Sequence, residues 1–157
     1  MATAYREQEQ TLAEVDRAIK EMHDDVNRMK AVRKQVNDML LLLSDTIRYK
    51  NILESGRKLA KDITTWEEEI VQPKAQSNDD IINFVNRLSA DYVFLRGEMD
   101  TNLPAVTTGQ KQRLAELNTL WQPLKSQYSS LQKRVADFNA LSRNAGIEQI
   151  IIPTAAE

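Results

Sequence analysis

The sequence predicts an all-α fold, an antiparallel up-down bundle of four long helices. Apolar residues recur at alternating spacings of three and four along most of the chain, which is the repeat of one helix face. Charged residues make up 28% of the chain and fill the positions between the apolar ones. Only four Gly and four Pro occur in 157 residues, which is too few for the many turns of a β-sandwich or barrel.

The first helix, predicted over residues 4–44, carries the longest apolar stripe. Two heptad series form it: Leu12, Ile19, Val26, Arg33 and Leu40, and Val15, Met22, Met29, Val36 and Leu43. Such a stripe is buried against other long helices. Arg33 is the one charged residue in the series, and two interpretations are open. It extends its stem to water near a bundle end, or it fixes the helix register through a buried ion pair.

The second and third helices are predicted over residues 50–72 and 79–100, with a linker around Pro73. Asn51 and Glu54 have the spacing of an N-cap and its reciprocal partner. Gly56 marks either a close helix crossing or a weak first turn. The second stripe is Ile52, Gly56, Leu59, Ile63, Trp66 and Ile70, and the third is Ile81, Val85, Leu88, Tyr92, Leu95 and Met99.

The fourth helix is predicted over residues 108–145, with Thr107 and Gln110 as a capping box. Pro123 predicts a kink near 119–121 without ending the helix. Gly146 can close the helix in the left-handed conformation, and an apolar tail follows over 147–153. The stripe of this helix is Leu114, Leu117, Trp121, Leu124, Tyr128, Leu131, Val135 and Phe138.

The connections between the predicted helices are short, so consecutive helices should run antiparallel within a single domain that covers 1–157. Long heptad helices with a tryptophan also suit a three-helix, spectrin-like arrangement, which is the structural alternative. The number of breaks in the pattern favours four helices.

Residues for catalysis and metal binding are scarce. The chain has no cysteine and one histidine, His23, which lacks the Glu three residues earlier that a di-iron bundle needs. Glu67, Glu68 and Glu69 are consecutive, so they point about 100° apart and cannot share a substrate; we interpret them as a solvated face. No glycine-rich phosphate loop or nucleophile elbow occurs. We therefore expect no enzyme activity, no metal and no cofactor.

Charge and hydropathy bound the partners. The net charge is -2, with acids and bases interspersed, so the sequence offers no basic patch for nucleic acid. The longest apolar run, Met39–Leu43, is far shorter than the ~18 to 20 residues of a membrane span. The first residues lead directly into a charged helix without a secretory pattern. We expect a cytoplasmic protein or a fragment of a longer chain.

Two apolar segments do not fit the helix stripes. Tyr92–Leu95 is apolar in every direction, so Val93 and Phe94 should point away from the core. No helix pattern buries the isoleucine tail. Either the tail covers Phe84, Val93 or Phe94, or these segments form a contact surface for a partner. The candidate contact residues are Val93, Phe94, Ile150, Ile151 and Ile152.

Several segments of the sequence resemble those of a known protein family. They are Val26-Asn27-Arg28-Met29, Trp66-Glu67-Glu68-Glu69-Ile70-Val71-Gln72, Asp80-Ile81-Ile82-Asn83-Phe84-Val85-Asn86-Arg87-Leu88-Ser89, Phe138-Asn139-Ala140-Leu141, Gly146-Ile147 and Ile150-Ile151-Ile152-Pro153. Together they resemble the C-terminal helical region of bacterial sortilin-like proteins, also described as BNR-repeat or glycosyl-hydrolase-like proteins. The larger N-terminal part of those proteins is a β-propeller. The Asp-box motif of that propeller is absent here.

The resemblance implies a non-catalytic C-terminal appendage that mediates domain packing or oligomerisation. Its partner would be the N-terminal β-propeller or a second copy of itself, and the parent protein would be secreted or periplasmic. The alternative function is a stand-alone helical adaptor, or a sensor bundle that binds a small ligand. A sensor bundle should have a cavity lined by Trp66, Tyr92, Trp121 or Tyr128.

Overall fold

The computed structural model describes residues 1–43, 47–74 and 87–154. Within these ranges the chain forms four α-helices, one short 3-10 helix and no strand, which confirms the all-α class. None of the described helices is both long and apolar enough to cross a membrane. The helices are α1 (Ala2–Leu42), α2 (Lys50–Ile70), α3 (Leu88–Met99) and α4 (Thr108–Asn144), and the 3-10 helix is Ile47–Tyr49.

The N-cap of α2 and the start of α3 differ from the predictions. The 3-10 helix leads directly into α2 at Lys50, so Asn51 lies inside the first turn and is not the N-cap. The third helix was expected to begin at residue 79, whereas α3 begins at Leu88. The predicted start of this helix, with Ile81 and Val85 of its stripe, lies outside the described residues.

Both ends of α4 form as the sequence predicts. The Thr107 N–H donates to Gln110 Oε1 at 3.0 Å, and the Gln110 N–H donates to Thr107 Oγ1 at 3.2 Å, which is a reciprocal capping box. At the other end Gly146 has φ of 75°. The Ile147 N–H donates to the carbonyl of Ser142 at 2.9 Å, as in a Schellman closure. Pro123 lies inside an uninterrupted helix.

The described residues pack as two compact units. Unit 1 comprises Met1–His23 and Glu68–Leu124, and unit 2 comprises Asp24–Glu67 and Lys125–Glu157. Each unit contains part of α1 and part of α4. In addition, unit 1 contains α3, and unit 2 contains most of α2.

Hydrogen bonds in unit 1 give the direction of α3 relative to α1. Gln8 Nε2 donates to the carbonyl of Met99 at 2.7 Å, and Arg96 Nε donates to Asp16 Oδ1 at 2.6 Å. The residue number rises along α1 while it falls along α3. These two helices therefore run antiparallel.

The same unit pairs α1 with α4 in the opposite sense. Lys111 forms an ion pair with Glu7, and Asn118 Nδ2 donates to Glu14 Oε1 at 3.1 Å. Here both residue numbers rise together. The first part of α4 therefore runs parallel to α1.

Unit 2 has the same combination of directions. A Cβ added to Gly56 would lie 2.8 Å from Leu40 Cδ2 and 3.2 Å from Phe138 Cε2, so α2 closely approaches both α1 and α4 at this glycine. Arg33 donates to Thr64 Oγ1 at 3.1 Å, which places α1 and α2 antiparallel. Arg134 of α4 forms an ion pair of 2.6 Å with Asp62 of α2. Together with the approach of Gly56 to Phe138, this contact shows that α2 and α4 also run antiparallel.

Among the described residues, the three main helical segments of each unit are thus arranged with one antiparallel to the other two. The up-down order of four antiparallel helices is not confirmed. The directions within each unit are instead those of the three-helix alternative. The glycine at position 56 fits the close-crossing interpretation of the sequence, since a larger residue would displace the Leu40 side chain.

The predicted stripes of α2 and α4 form the core, because every residue in them is buried. The stripe of α1 is only partly correct. Its buried members are Val15, Met22, Val26, Met29 and Val36, and Val32 is buried although it lies outside the stripe. Leu12, Ile19, Leu40 and Leu43 are half-buried. In α3 the described stripe residues, Leu88, Tyr92, Leu95 and Met99, are all buried.

Candidate contact surfaces

Two apolar side chains on α3 face solvent. Val93 is 49% exposed and Phe94 is 68% exposed, whereas their neighbours Tyr92 and Leu95 are buried. The helix explains this difference, because residues 92 and 95 share the core face and residues 93 and 94 point about 100° or more away from it. This agrees with the orientation that the sequence predicts for Val93 and Phe94.

Gly97 lies on the same face of α3, one turn after Val93 and Phe94. A Cβ added to Gly97 would meet nothing within 4 Å. Glycine in a helix interior costs about 1 kcal/mol relative to alanine, and no described neighbour needs the space. We call Val93, Phe94 and Gly97 the α3 surface. Gly97 was not among the predicted contact residues, although a glycine inside a helical pattern is a visible signal.

Charged residues of both signs surround the α3 surface. A surface cavity of about 470 Å³ beside Phe94 is also lined by Asp91, Leu95, Glu98 and Arg113. Arg113 Nη2 lies 3.6 Å from Asp91 Oδ2, and both side chains are partly exposed. The rim can therefore offer a donor and acceptors to a partner.

The isoleucine tail lies in unit 2 and is held there by hydrogen bonds. Asn139 bonds to the backbone of Ile150, and Gln35 bonds to the backbone of Ile151. Ile150 is only 6% exposed, Ile152 is half-buried, and Ile151 is 69% exposed. Of the three candidate contact residues in the tail, Ile151 alone has a largely accessible side chain.

The expectation that the tail covers Val93 or Phe94 is wrong, since both remain exposed. The physical reason is that the tail satisfies its backbone polar groups with Gln35 and Asn139. Phe84, the third expected cover site, lies outside the described residues. Val93 and Phe94 belong to unit 1, whereas the tail belongs to unit 2.

The four aromatic residues of the ligand-bundle alternative are core residues. Tyr92, Trp66, Trp121 and Tyr128 are all buried. The rings of Trp66 and Tyr128 pack with centroids 5.7 Å apart. The cavity beside Phe94 and a second surface cavity lined by residues around Lys34 contain none of the four in their described linings.

Tyr92 is the end of a hydrogen-bonded chain in unit 1. Its hydroxyl donates to Asn118 Oδ1 at 2.7 Å, and Asn118 in turn donates to Glu14. Burial, and secondly the negative charge of Glu14, raise the pKa of Tyr92 well above its ordinary value. The phenol therefore stays protonated in the folded state at a pH where the unfolded chain has lost the proton.

This linkage predicts a pH effect on stability. The contribution of a raised tyrosine pKa is complete below the unfolded value of about 10 and declines as the pH rises above it. We expect Tyr92→Phe to be about 1 kcal/mol less stable at neutral pH, because it loses the hydrogen bond to Asn118. The difference in the free energy of unfolding between the wild type and Tyr92→Phe should narrow above about pH 10, as measured by urea unfolding of both proteins. A gap that stays constant across that range would contradict the raised pKa.

Glu67 is buried in unit 2, so its interpretation as part of a solvated face is wrong. It is 4% exposed and forms an ion pair with Arg33, and Lys30 Nζ lies 4.0 Å from its carboxylate. Arg33 also donates to Thr64. This is the geometry of the register-fixing interpretation of Arg33. Glu68 and the residue after it are exposed, as expected.

The described residues offer no metal centre, since no group of three or more His, Cys, Asp or Glu side chains among them could hold an ion. His23 is exposed. The described residues form an apolar surface rimmed by charges on α3 and a site that holds the extended tail.

Comparisons with known proteins give no match to a family model, a curated protein or a solved structure. The relationship to sortilin-like proteins therefore stays a prediction from the sequence segments that resemble them.

Proposed function

We propose that this chain is a non-catalytic helical interaction domain that associates with a second copy of itself through the α3 surface. The observation that carries the proposal is the 68% exposure of Phe94 beside the half-exposed Val93. Aromatic residues are enriched at the centres of protein contacts, and exposed apolar patches usually mark them.

Gly97 supports a helix as the contacting element. It lies one turn from Phe94 on the same face, and its Cα is open to solvent. A residue without a side chain lets another backbone approach closely. The stability that α3 loses by having glycine there would then be offset by a closer contact in the associated state.

The charges at the rim support a second copy as the partner. In a two-fold symmetric contact the same surface meets itself, so a self-complementary patch needs both signs of charge. Arg113 on one copy can face Asp91 or Glu98 on the other, and all three residues border the cavity beside Phe94. A rim of one sign would repel itself in this arrangement.

The other proposed roles use the same surface differently. The resemblance implies an appendage of a sortilin-like protein. In that role the chain would pack its α3 surface on the β-propeller of the parent protein. As a stand-alone adaptor, it would bind an unrelated protein there. Neither of these roles requires the isolated chain to self-associate, so the oligomeric state separates them from the main proposal.

The test is molar mass by light scattering across a concentration series. We expect the wild type to rise from the 18.0 kDa chain mass towards twice that value. Burying a phenylalanine contributes roughly 1.5 to 3 kcal/mol, so Phe94→Ser should weaken association at least about tenfold. Leu42→Ser is the matched control, because Leu42 is 87% exposed but lies in unit 2.

The control variant should associate like the wild type. Self-association that persists in Phe94→Ser, or that is lost only in Leu42→Ser, would overturn the choice of surface. A wild type that keeps the chain mass at every concentration would overturn self-association and favour packing on another protein or domain.

A further inference from the structure

Two side-chain amides hold the backbone of the tail in unit 2. Asn139 Oδ1 accepts from the Ile150 N–H at 2.6 Å, and Asn139 Nδ2 donates to the Ile150 carbonyl at 2.8 Å. Gln35 repeats this pattern on the next residue, with its Oε1 2.9 Å from the Ile151 N and its Nε2 2.6 Å from the Ile151 carbonyl oxygen. Each amide thus pairs with both backbone polar groups of one residue, as a neighbouring β-strand would.

These contacts involve the peptide backbone and one side chain, that of Ile150. The hydrogen bonds involve only main-chain atoms of Ile150 and Ile151, so they are available to any non-proline residue. Ile150 is 6% exposed, whereas Ile151 is 69% exposed. Gln35 is also oriented by a third hydrogen bond, which its Nε2 donates to the Ala31 carbonyl at 3.2 Å. The site therefore recognises an extended segment with one buried β-branched residue.

The tail is joined to α4 through Gly146. The helix ends at Asn144, and the φ of 75° at Gly146 turns the chain into the tail. A Cβ added to Gly146 would meet nothing within 4 Å. Residues 147–154 have no helix or strand structure of their own. A terminal segment without helix or strand structure opens at a lower free energy than the core of the protein, so we expect the tail to leave its site without global unfolding.

We propose that the groove between Gln35 of α1 and Asn139 of α4 is a peptide-binding site, and that the chain's own tail is its resident occupant. The ligand is an extended apolar segment of another polypeptide, with Ile or Val at the position of Ile150 and a tolerant residue after it. The tail acts as an intramolecular competitor. This site lies in unit 2, so the proposal is independent of the α3 surface in unit 1.

Competition by the tail sets the expected affinities. A segment in the same chain acts at an effective concentration of the order of millimolar. A free peptide should therefore bind the wild type poorly and should bind well once the tail is displaced. Ile150→Asp displaces it, because an unpaired carboxylate in the Ile150 pocket would be costly.

The experiment uses the full chain and a fluorescent peptide of residues 147–154, Ile-Glu-Gln-Ile-Ile-Ile-Pro-Thr. Anisotropy titrations should show binding to Ile150→Asp that is at least about tenfold tighter than binding to the wild type. Ile150→Ser is measured in parallel as a milder displacement. Adding Asn139→Leu to either variant should weaken peptide binding by about tenfold or more, because it removes both bonds to the backbone.

Specificity is checked with two altered peptides. Aspartate at the Ile150 position should abolish binding, whereas serine at the Ile151 position should have little effect. Equal binding of the peptide to the wild type and to the folded displacement variants would overturn the proposal, as would indifference to Asn139→Leu. Unfolding of both displacement variants, seen by circular dichroism, would also overturn it, because the tail would then be part of the core.

Discussion

Replacing Arg33 with methionine is expected to lower the free energy of unfolding by about 3 kcal/mol. The change leaves the carboxylate of Glu67 in a site that is 4% exposed, without its closest cationic partner. Breaking a buried ion pair on one side typically costs roughly 3 to 5 kcal/mol. The value should lie at the lower end, because Lys30 Nζ remains 4.0 Å away. Urea unfolding measures the difference.

The double variant Arg33→Met/Glu67→Met is the control for this effect. It removes both charges and fills the space with apolar atoms, which is often neutral or stabilising. We expect it to recover at least half of the stability that Arg33→Met loses. A double variant that is less stable than Arg33→Met would show that the penalty comes from lost packing and not from an unpaired buried charge.

Trp121→Ala is expected to cost about 3 to 5 kcal/mol, which is the range for truncating a large buried aromatic residue. The side chain is 4% exposed. Its ring N–H has no hydrogen-bond partner among the described residues, so the loss measures packing alone. Thermal or urea unfolding gives the value.

The neighbouring residue supplies a matched control for the register of α4. Leu120 is 55% exposed, so Leu120→Ala should change stability by less than about 1 kcal/mol. Comparable losses for the two variants would mean that α4 presents a different face to the core.

The apolar stripes of α2 and α4 could be predicted because apolar spacing alone reports which face of a helix is buried. Trp66 and Trp121 are examples, and both lie in the core. The capping box at Thr107 could be predicted for a similar reason, since it depends on residues only three apart.

The stripe of α1 was predicted less well. A strict heptad series drifts by about 20° per heptad on a straight helix. Over a helix of 41 residues the buried face therefore leaves the series. Val32 is buried outside it, whereas Leu12 and Leu40 are only half-buried.

Polar partners between helices could not be predicted, because sequence spacing does not say which helices face each other. Glu67 shows this most clearly. Two further glutamates follow it in the sequence, yet its carboxylate is buried in unit 2 against Arg33 of another helix. The tail is a second case, since Gln35 and Asn139 are ordinary polar residues until an extended chain lies beside them.

The exposure of the candidate contact residues on α3 was predictable, whereas the burial of Ile150 was not. Val93 and Phe94 follow from a segment that is apolar in every direction, because a helix can bury only one face of it. Ile150 was assigned to the surface because no helix pattern buries it, but a groove formed by two helices does.

The most direct test of the central claim, that the α3 surface mediates self-association, is the dimer dissociation constant of Gly97→Ala by sedimentation equilibrium. The open space around Gly97 predicts a folded chain that is more stable by roughly 0.5 to 1 kcal/mol. The added methyl group should hinder the close approach of a second α3 and raise the dissociation constant at least about tenfold. A more stable chain with weaker association is therefore expected. A dissociation constant equal to that of the wild type, in a protein that melts at a higher temperature, would contradict the claim.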